Sequence, residues 1–218
     1  MKYTTVLFDL DGTLTDPAEG ITNSIIYALK KWNIQVSDRK ELYKFIGPPL
    51  IESFAKFYGF SKEDSLLALK YYREYFSVKG LFENKVYDGI PTLLSELKRQ
   101  GYTVALATSK PENYAVEILQ HFQLDGYFDL MAGASMDESR NQKDQVIAYA
   151  LSRLCQKERS KIIMVGDRKH DVLGAQTNGI DCIGVLYGYG TKEELEKAGA
   201  KHIVNRIQEL QDLLLKGE

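Results

Sequence analysis

Val6-Leu7-Phe8-Asp9-Leu10-Asp11-Gly12-Thr13-Leu14-Thr15-Asp16 is an apolar run that ends in carboxylates at alternate positions. Because side chains alternate along a strand, Asp9 and Asp11 are expected on one side of the backbone and Leu10 on the other. Two ionised carboxylates this close repel each other unless a cation or several donors lie between them. The stretch therefore predicts a site for a hard metal ion such as Mg²⁺. The alternative interpretation is purely structural, a strand followed by an Asp-Gly turn at Gly12.

The composition of the chain is that of an ordinary globular protein. It has 218 residues, of which 44% are hydrophobic and 27% charged, and its formal net charge is -2. That length suffices for one large domain, or for a domain that carries a smaller insertion. A nearly neutral chain without a basic block argues against nucleic acid and anionic membranes as partners.

The cysteines and the N-terminus indicate a cytoplasmic protein. Cys155 and Cys182 lack the spacing of metal ligands, so reduced thiols are expected. The N-terminus runs straight into a strand without a basic segment or an apolar segment of secretory length. No apolar run approaches ~18 residues, so no membrane span is expected.

A helical block is predicted directly after the first strand, which covers residues 4–8. Asp16 is predicted as the N-cap of the next helix, with Pro17 at its first position and Glu19 completing a capping box. Further helices are predicted at roughly 38–46, 49–58 and 61–78. This block is rich in aromatic rings, which favours a small subdomain with its own core; alternatively, the rings fill one common core.

From residue 84 onward, helices and strands alternate. Helices are predicted at 90–100, 111–122, 143–155, 171–178, 191–198 and 206–215, and strands at 102–107, 128–132, 161–165, 181–186 and 202–204. This alternation predicts an α/β fold, a doubly wound parallel sheet of the Rossmann-like kind with helices on both faces. The core domain would hold residues 1–16 and 84–218, and residues 17–83 would form an inserted all-helical domain.

Polar side chains stand at the ends of several predicted strands. In open α/β sheets, the site lies beyond the carboxyl ends of the strands. The residues that can meet at this edge are Asp9, Asp11, Thr108, Ser109, Lys110, Lys143 and Asp167, and Asp171 can lie beside Asp167. Carboxylates, hydroxyls and an ammonium suit a phosphoryl group beside Mg²⁺.

Each of these residues also has a structural interpretation. Ser109 forms a capping-box pattern with Glu112 and would then only begin a helix. Lys143 taken alone is a solvated surface lysine. Asp167 would cap the helix that follows it, with Asp171 beside it on one helical face. The coincidence of all these positions favours a shared site.

The motifs in this order resemble the four-motif signature of the haloacid dehalogenase superfamily, and the resemblance spans almost the whole chain. They are Asp9-x-Asp11-Gly-Thr, then Thr108, then Lys143, then Gly166-Asp167-x-x-x-Asp171. The insertion after the first motif is similar to the helical cap of the C1 type. Gly166-Asp167-Arg168 with Tyr187-Gly188-Tyr189-Gly190 resembles the phosphoglycolate phosphatase-like branch, which also contains nucleotidases. Many relatives have Lys-Pro where this chain has Lys143-Asp144, so Lys110 remains a rival for the phosphate-binding cation.

The resemblance implies a Mg²⁺-dependent phosphatase. Asp9 would attack phosphorus and form an aspartyl-phosphate, and Asp11 would protonate the leaving group and then deprotonate water. Mg²⁺ would be held by Asp9, the main-chain carbonyl of Asp11 and Asp167, with Asp171 holding a metal-bound water or orienting Asp167. The phosphate would be bound by Lys143, the Thr108 hydroxyl and backbone N–H groups near Leu10 and Ser109. Closure of the helical block would exclude water.

The substrate is not determined by these motifs. The resemblance implies a small phosphorylated metabolite, phosphoglycolate or a nucleoside 5′-monophosphate, and either a monomer or a homodimer. Candidates in the inserted block for contact with the substrate are Tyr43, Lys44, Glu52 and Arg73, and the sequence does not show which of them face the pocket. The alternatives are a phosphomutase of the same fold, a receiver-like signalling module and a non-catalytic phosphate-binding protein.

Overall fold

A computed structural model describes residues 3–137 and 139–216 of the chain. The chain divides into two compact units, one of Met1–Thr15 with Val86–Glu218 and one of Asp16–Lys85. Within the described residues, none of the helices is long and apolar enough to cross a membrane. Both cysteines are free thiols, Cys155 exposed and Cys182 buried.

The helices and strands follow the predicted alternation. The strands are β1 (Thr5–Phe8), β2 (Thr15–Asp16), β3 (Lys85–Val86), β4 (Thr103–Pro111), β5 (Leu130–Ala134), β6 (Ile162–Gly166), β7 (Asp181–Val185) and β8 (His202–Val204). The α-helices are α1 (Ala18–Leu29), α2 (Leu50–Tyr58), α3 (Lys62–Tyr75), α4 (Ile90–Arg99), α5 (Glu112–His121), α6 (Lys143–Arg153), α7 (Lys169–Thr177), α8 (Lys192–Ala198) and α9 (Ile207–Lys216).

The first unit contains a parallel sheet of six strands in the order β5-β4-β1-β6-β7-β8. This arrangement confirms the predicted α/β fold class. β1 is central, and its last residue, Phe8, pairs with Leu106 of β4 and Val165 of β6. The residues that follow Phe8, Leu106 and Val165 therefore emerge at the same edge of the sheet.

The core of the first unit covers both faces of this sheet. All four residues of β1 are buried, as expected for a central parallel strand with helices packed on it. Leu7 and Met164 join Val146 and Ile147 of α6 and Val172 of α7 in one cluster of buried side chains. The helices α6 and α7 are thereby fixed against the strands that carry the polar edge.

The second unit contains a cluster of aromatic rings. The ring of Phe45 lies 5.3 Å from that of Phe54 and 5.2 Å from that of Phe57. The ring centroids of Trp32 and Phe60 are 4.8 Å apart. Such rings bury a large apolar area per residue, which lets a block of about 70 residues form a core. The predicted helix at 38–46 is a 3₁₀-helix, Arg39–Phe45.

Two capping patterns in the sequence are not formed as they stand, although the helices that they precede are present. α1 begins at Ala18 with Pro17 as its N-cap, so Asp16 lies one position further out, although its Oδ1 still accepts a hydrogen bond from the Ala18 N–H (3.1 Å). Ser109 does not cap α5, because β4 continues to Pro111. The carboxylate of Glu112 accepts instead from the N–H of Gly133 in β5 (3.1 Å). At Glu112, a hydrogen bond to the neighbouring strand therefore replaces the capping hydrogen bonds that the local pattern indicates.

The packing of α1 generates the first prediction. A Cβ on Gly20 would overlap the carbonyl oxygen of Gly80 and lie 2.9 Å from that of Glu83. We expect Gly20→Ala to lower the free energy of unfolding of the helical unit by ~1–3 kcal/mol in urea titrations followed by circular dichroism. Gly126→Ala is the control, because a Cβ there meets nothing within 4 Å. Equal stability of Gly20→Ala and wild type would contradict this close contact.

Candidate active site

Three buried carboxylates form a cluster at the carboxyl edge of the sheet. Asp9 follows β1, Asp167 follows β6, and Asp171 lies in the first turn of α7. One oxygen atom from each lies within 4.8 Å of the others, and all three side chains are buried. The N–H of Asp9 donates to the carbonyl of Val165 (2.9 Å), which holds the ends of β1 and β6 together. Strand register and one helix start thus bring residues 162 positions apart in sequence into one site.

Lys143 supplies one positive charge to this cluster. It is the first residue of α6, and its Nζ lies 2.8 Å from Asp9 Oδ1 and 2.8 Å from Asp171 Oδ1. The same ammonium donates to the Ala107 carbonyl (3.1 Å). Three carboxylates and one ammonium leave two negative charges in excess, which matches the charge of a divalent cation.

The hydrogen bonds of Asp167 support a cation in this place. Its Oδ2 accepts from the N–H of Tyr189 (2.7 Å), whereas its Oδ1 is buried and has no hydrogen-bond partner within the described part of the chain. A buried carboxylate oxygen without a donor is unfavourable unless a cation lies against it. The residues present therefore fit a divalent metal, and an all-oxygen set suits a hard ion such as Mg²⁺.

Burial and mutual repulsion shift the protonation of the cluster. Burial, followed by the charges of Asp171 and Asp9, raises the pKa of Asp167 well above its usual value. Burial also raises the pKa of Asp171 to about 6, against the opposing charge of Lys143. Burial alone would lower the pKa of Lys143, but the charges of Asp171 and Asp9 outweigh it and raise that pKa. A bound cation would reverse the shifts of the carboxylates.

Asp11 belongs to a separate ion pair. Its Oδ2 lies 2.9 Å from the Nζ of Lys110, near the end of β4, so its carboxylate is not part of the three-carboxylate group. Burial raises the pKa of Asp11, with the charge of Lys110 opposing the rise. Of the two candidate lysines, Lys143 therefore lies at Asp9 and Lys110 at Asp11.

The remaining predicted residues lie around this centre. Thr108 is buried, and its hydroxyl accepts from the N–H of Lys110 (3.2 Å). Ser109 is half-buried and is part of β4. The Leu10 side chain is buried in the core, while its carbonyl accepts from the N–H of Leu14 (2.8 Å). The Asp-Gly turn is present as well, with Gly12 at φ 82°.

One part of the site was not assigned a role from the sequence. Residues 187–190 lie against Asp167, where Tyr189 provides the hydrogen bond described above and Gly188 and Gly190 make room. The signal in the sequence is a pair of glycines at alternate positions soon after a strand. That pattern indicates close backbone approach but does not identify what is approached.

Comparisons with known proteins agree with this geometry. Residues 6–185 match the family described as haloacid dehalogenase-like hydrolase. The chain is 44% identical to a protein named 5′-nucleotidase from Pseudomonas aeruginosa, over 98% of this chain and 96% of that one. It is 40% identical to tyrosine-protein kinase PtkA from Mycobacterium tuberculosis, over 96% of this chain and 72% of that one. The crystal structure of a predicted phosphatase from Clostridium acetobutylicum superposes with a TM-score of 0.96 at 51% identity, covering 99% and 100% of the two chains.

The raised pKa of Asp167 generates the second prediction. A carboxyl whose pKa is higher in the folded than in the unfolded state loses its contribution to stability as the pH rises through the folded value. In EDTA, we therefore expect Asp167→Asn to be more stable than wild type at pH 8, by ~1 kcal/mol or more, and the advantage to shrink toward pH 5. Thermal unfolding at both pH values measures this difference.

The control for this experiment is Asp125→Asn. Asp125 precedes β5, so it lies at the end of the sheet opposite to the carboxylate cluster. This variant is expected to show no gain at pH 8. Added Mg²⁺ should stabilise wild type and leave Asp167→Asn nearly unchanged. A metal-free Asp167→Asn protein that is less stable than wild type at pH 8 would show that the carboxylate is not repelled in the folded state.

Proposed function

This chain belongs to the haloacid dehalogenase-like hydrolases, and from that premise we propose that it is a phosphatase for a small phosphate monoester, acting with Mg²⁺ through an aspartyl-phosphate. The observation that carries the proposal is the buried group of Asp9, Asp167 and Asp171 around Lys143, with two negative charges in excess. The residues fit a divalent metal, and they place one ammonium beside the carboxylate that would act as nucleophile.

Asp9 is the proposed nucleophile. Its carboxylate oxygen would bond to phosphorus while the bond from phosphorus to the leaving oxygen breaks. An anionic nucleophile approaching an anionic phosphate is repelled, and the Lys143 ammonium, 2.8 Å from Asp9, would offset this repulsion. Asp9 and Asp167, with Asp171 beside them, would hold Mg²⁺, which would supply further positive charge to the phosphate oxygens.

Asp11 is the proposed proton donor and acceptor. Burial raises the pKa of Asp11 and so favours its protonated form, and Lys110 holds its Oδ2 in place. The protonated carboxyl would donate to the leaving alkoxide. The resulting carboxylate would then accept a proton from the water that attacks the aspartyl-phosphate.

Nucleoside 5′-monophosphates are proposed as the substrate class, ahead of phosphoglycolate. The relative named 5′-nucleotidase is 44% identical over nearly the full length of both chains, which supports this order. The relative named tyrosine-protein kinase, at 40% identity, supports a second candidate, in which a phosphoryl group is passed to an acceptor other than water. A phosphomutase also belongs to this second candidate, because it passes the phosphoryl group to a sugar and not to water. Both candidates require Asp9.

Phosphate release from a panel of monoesters tests the proposal. The panel holds nucleoside 5′-monophosphates, phosphoglycolate, sugar 1-phosphates and p-nitrophenyl phosphate, each with Mg²⁺ and with EDTA. We expect turnover of 5′-monophosphates that disappears in EDTA and falls by at least ~10³-fold in Asp9→Asn, because the nucleophile is removed.

The control for this panel is again Asp125→Asn, which should retain wild-type turnover. Transfer of phosphate from ATP to a tyrosine peptide without net hydrolysis would favour the second candidate instead. If Asp9→Asn matches wild type, or if EDTA has no effect, the proposed mechanism is wrong.

The role of Asp11 predicts a dependence on the leaving group. Alkoxides need a proton to leave, whereas p-nitrophenolate does not. In Asp11→Asn, we expect kcat for alkyl phosphates to fall by ~10²–10⁴-fold. With p-nitrophenyl phosphate, we expect a burst of nitrophenol stoichiometric with enzyme, because the water step still lacks its base. Stopped-flow absorbance measures the burst, and wild-type kcat on alkyl phosphates would contradict the role.

A further inference from the structure

The segment Tyr187–Gly190, here called the strap, begins one residue beyond the end of β7 and crosses the carboxylate of Asp167. The Tyr189 N–H donates to Asp167 Oδ2 (2.7 Å). The Tyr187 hydroxyl donates to the carbonyl of Thr13 (3.2 Å), in the loop that follows Asp11. The strap therefore joins the loop after β1 to the residue after β6.

The strap glycines are required for this close approach. A Cβ on Gly188 would overlap the carbonyl oxygen of Gly12 and lie 2.5 Å from the Cβ and Oδ2 of Asp167. A Cβ on Gly190 would overlap the carbonyl oxygen of Asp167. Any side chain at either position would push the strap away from Asp167, since the atoms that it meets are backbone or the carboxylate itself.

These contacts determine which oxygen of Asp167 remains available. Oδ2 is engaged by the strap, so the carboxylate cannot rotate about its Cβ–Cγ bond without losing that hydrogen bond. Oδ1 stays buried and without a hydrogen-bond partner among the described residues. A ligand oxygen held in advance binds a metal more tightly than one that must be ordered on binding.

We propose that the strap orients Asp167 and thereby sets the affinity of the site for its divalent metal, with Tyr187, Gly188 and Gly190 as positioning residues. This inference rests on the divalent metal of the proposed function. Tyr187 acts indirectly, because its side chain anchors the strap. Its hydroxyl donates to the Thr13 carbonyl, and its ring packs on that of Tyr87 with the ring centroids 5.2 Å apart.

Titration calorimetry with Mg²⁺ and with Mn²⁺, without substrate, tests the inference. We expect Gly188→Ala to fold and to bind both ions ~10-fold or more weakly than wild type, the range seen when groups that orient a ligand are altered. Gly126→Ala is the matched control, since a Cβ there meets nothing within 4 Å, and it should bind as wild type does. A strap with only a structural role would lower the melting temperature of the metal-free protein and leave the metal affinity unchanged.

Tyr187→Phe provides the second variant, because it keeps the ring and removes only the anchoring hydroxyl. It is expected to fold and to bind Mn²⁺ several-fold more weakly. Unchanged affinity in a folded Gly188→Ala protein overturns the inference. If Gly188→Ala does not fold, unchanged affinity in Tyr187→Phe overturns it. If wild type binds neither ion, the metal of the proposed function is wrong as well. If wild type binds metal and the variants bind it equally well, only the role of the strap is wrong.

Discussion

The arrangement of this protein depends on burying three carboxylates with a single ammonium. Charges of one sign in a low-dielectric interior are strongly unfavourable, and Lys143 compensates for only part of the excess at Asp9, Asp167 and Asp171. The raised pKa values of Asp167 and Asp171 are the direct consequence. Such a cluster persists in a folded protein when its function needs a cation, because binding then offsets the cost of burial.

The same constraint separates the two carboxylates of the first motif. Asp9 and Asp11 are two residues apart, yet each has its own lysine, Lys143 for Asp9 and Lys110 for Asp11. Only Asp9 belongs to the three-carboxylate group, whereas the half-buried Asp11 forms an ion pair with Lys110 and has a raised pKa. Neighbouring groups with different environments can take different chemical roles, and those proposed here are nucleophile for Asp9 and proton carrier for Asp11.

Local sequence patterns were reliable for regular elements and unreliable where a tertiary partner competed. The alternation of apolar runs predicted the strands of the sheet, because burial on both faces demands such runs. The Ser109 and Glu112 pattern indicated a capping box at the start of α5, but that cap is not formed, since β4 continues to Pro111 and Glu112 bonds to Gly133 on the neighbouring strand. Asp16 was predicted as the N-cap of α1, but it lies one residue before the cap position, which Pro17 (ψ 7°) occupies.

The sequence by itself determined the α/β class, the helical block after β1 and the polar residues at the strand ends, because each follows from periodicity and from spacing within a few residues. Tertiary structure alone decided which lysine meets which carboxylate, and that the strap lies on Asp167. These contacts join residues far apart in the chain, such as Asp9 and Lys143, or Thr13 and Tyr187. Their distances follow from the strand order and register of the parallel sheet, which no local pattern specifies.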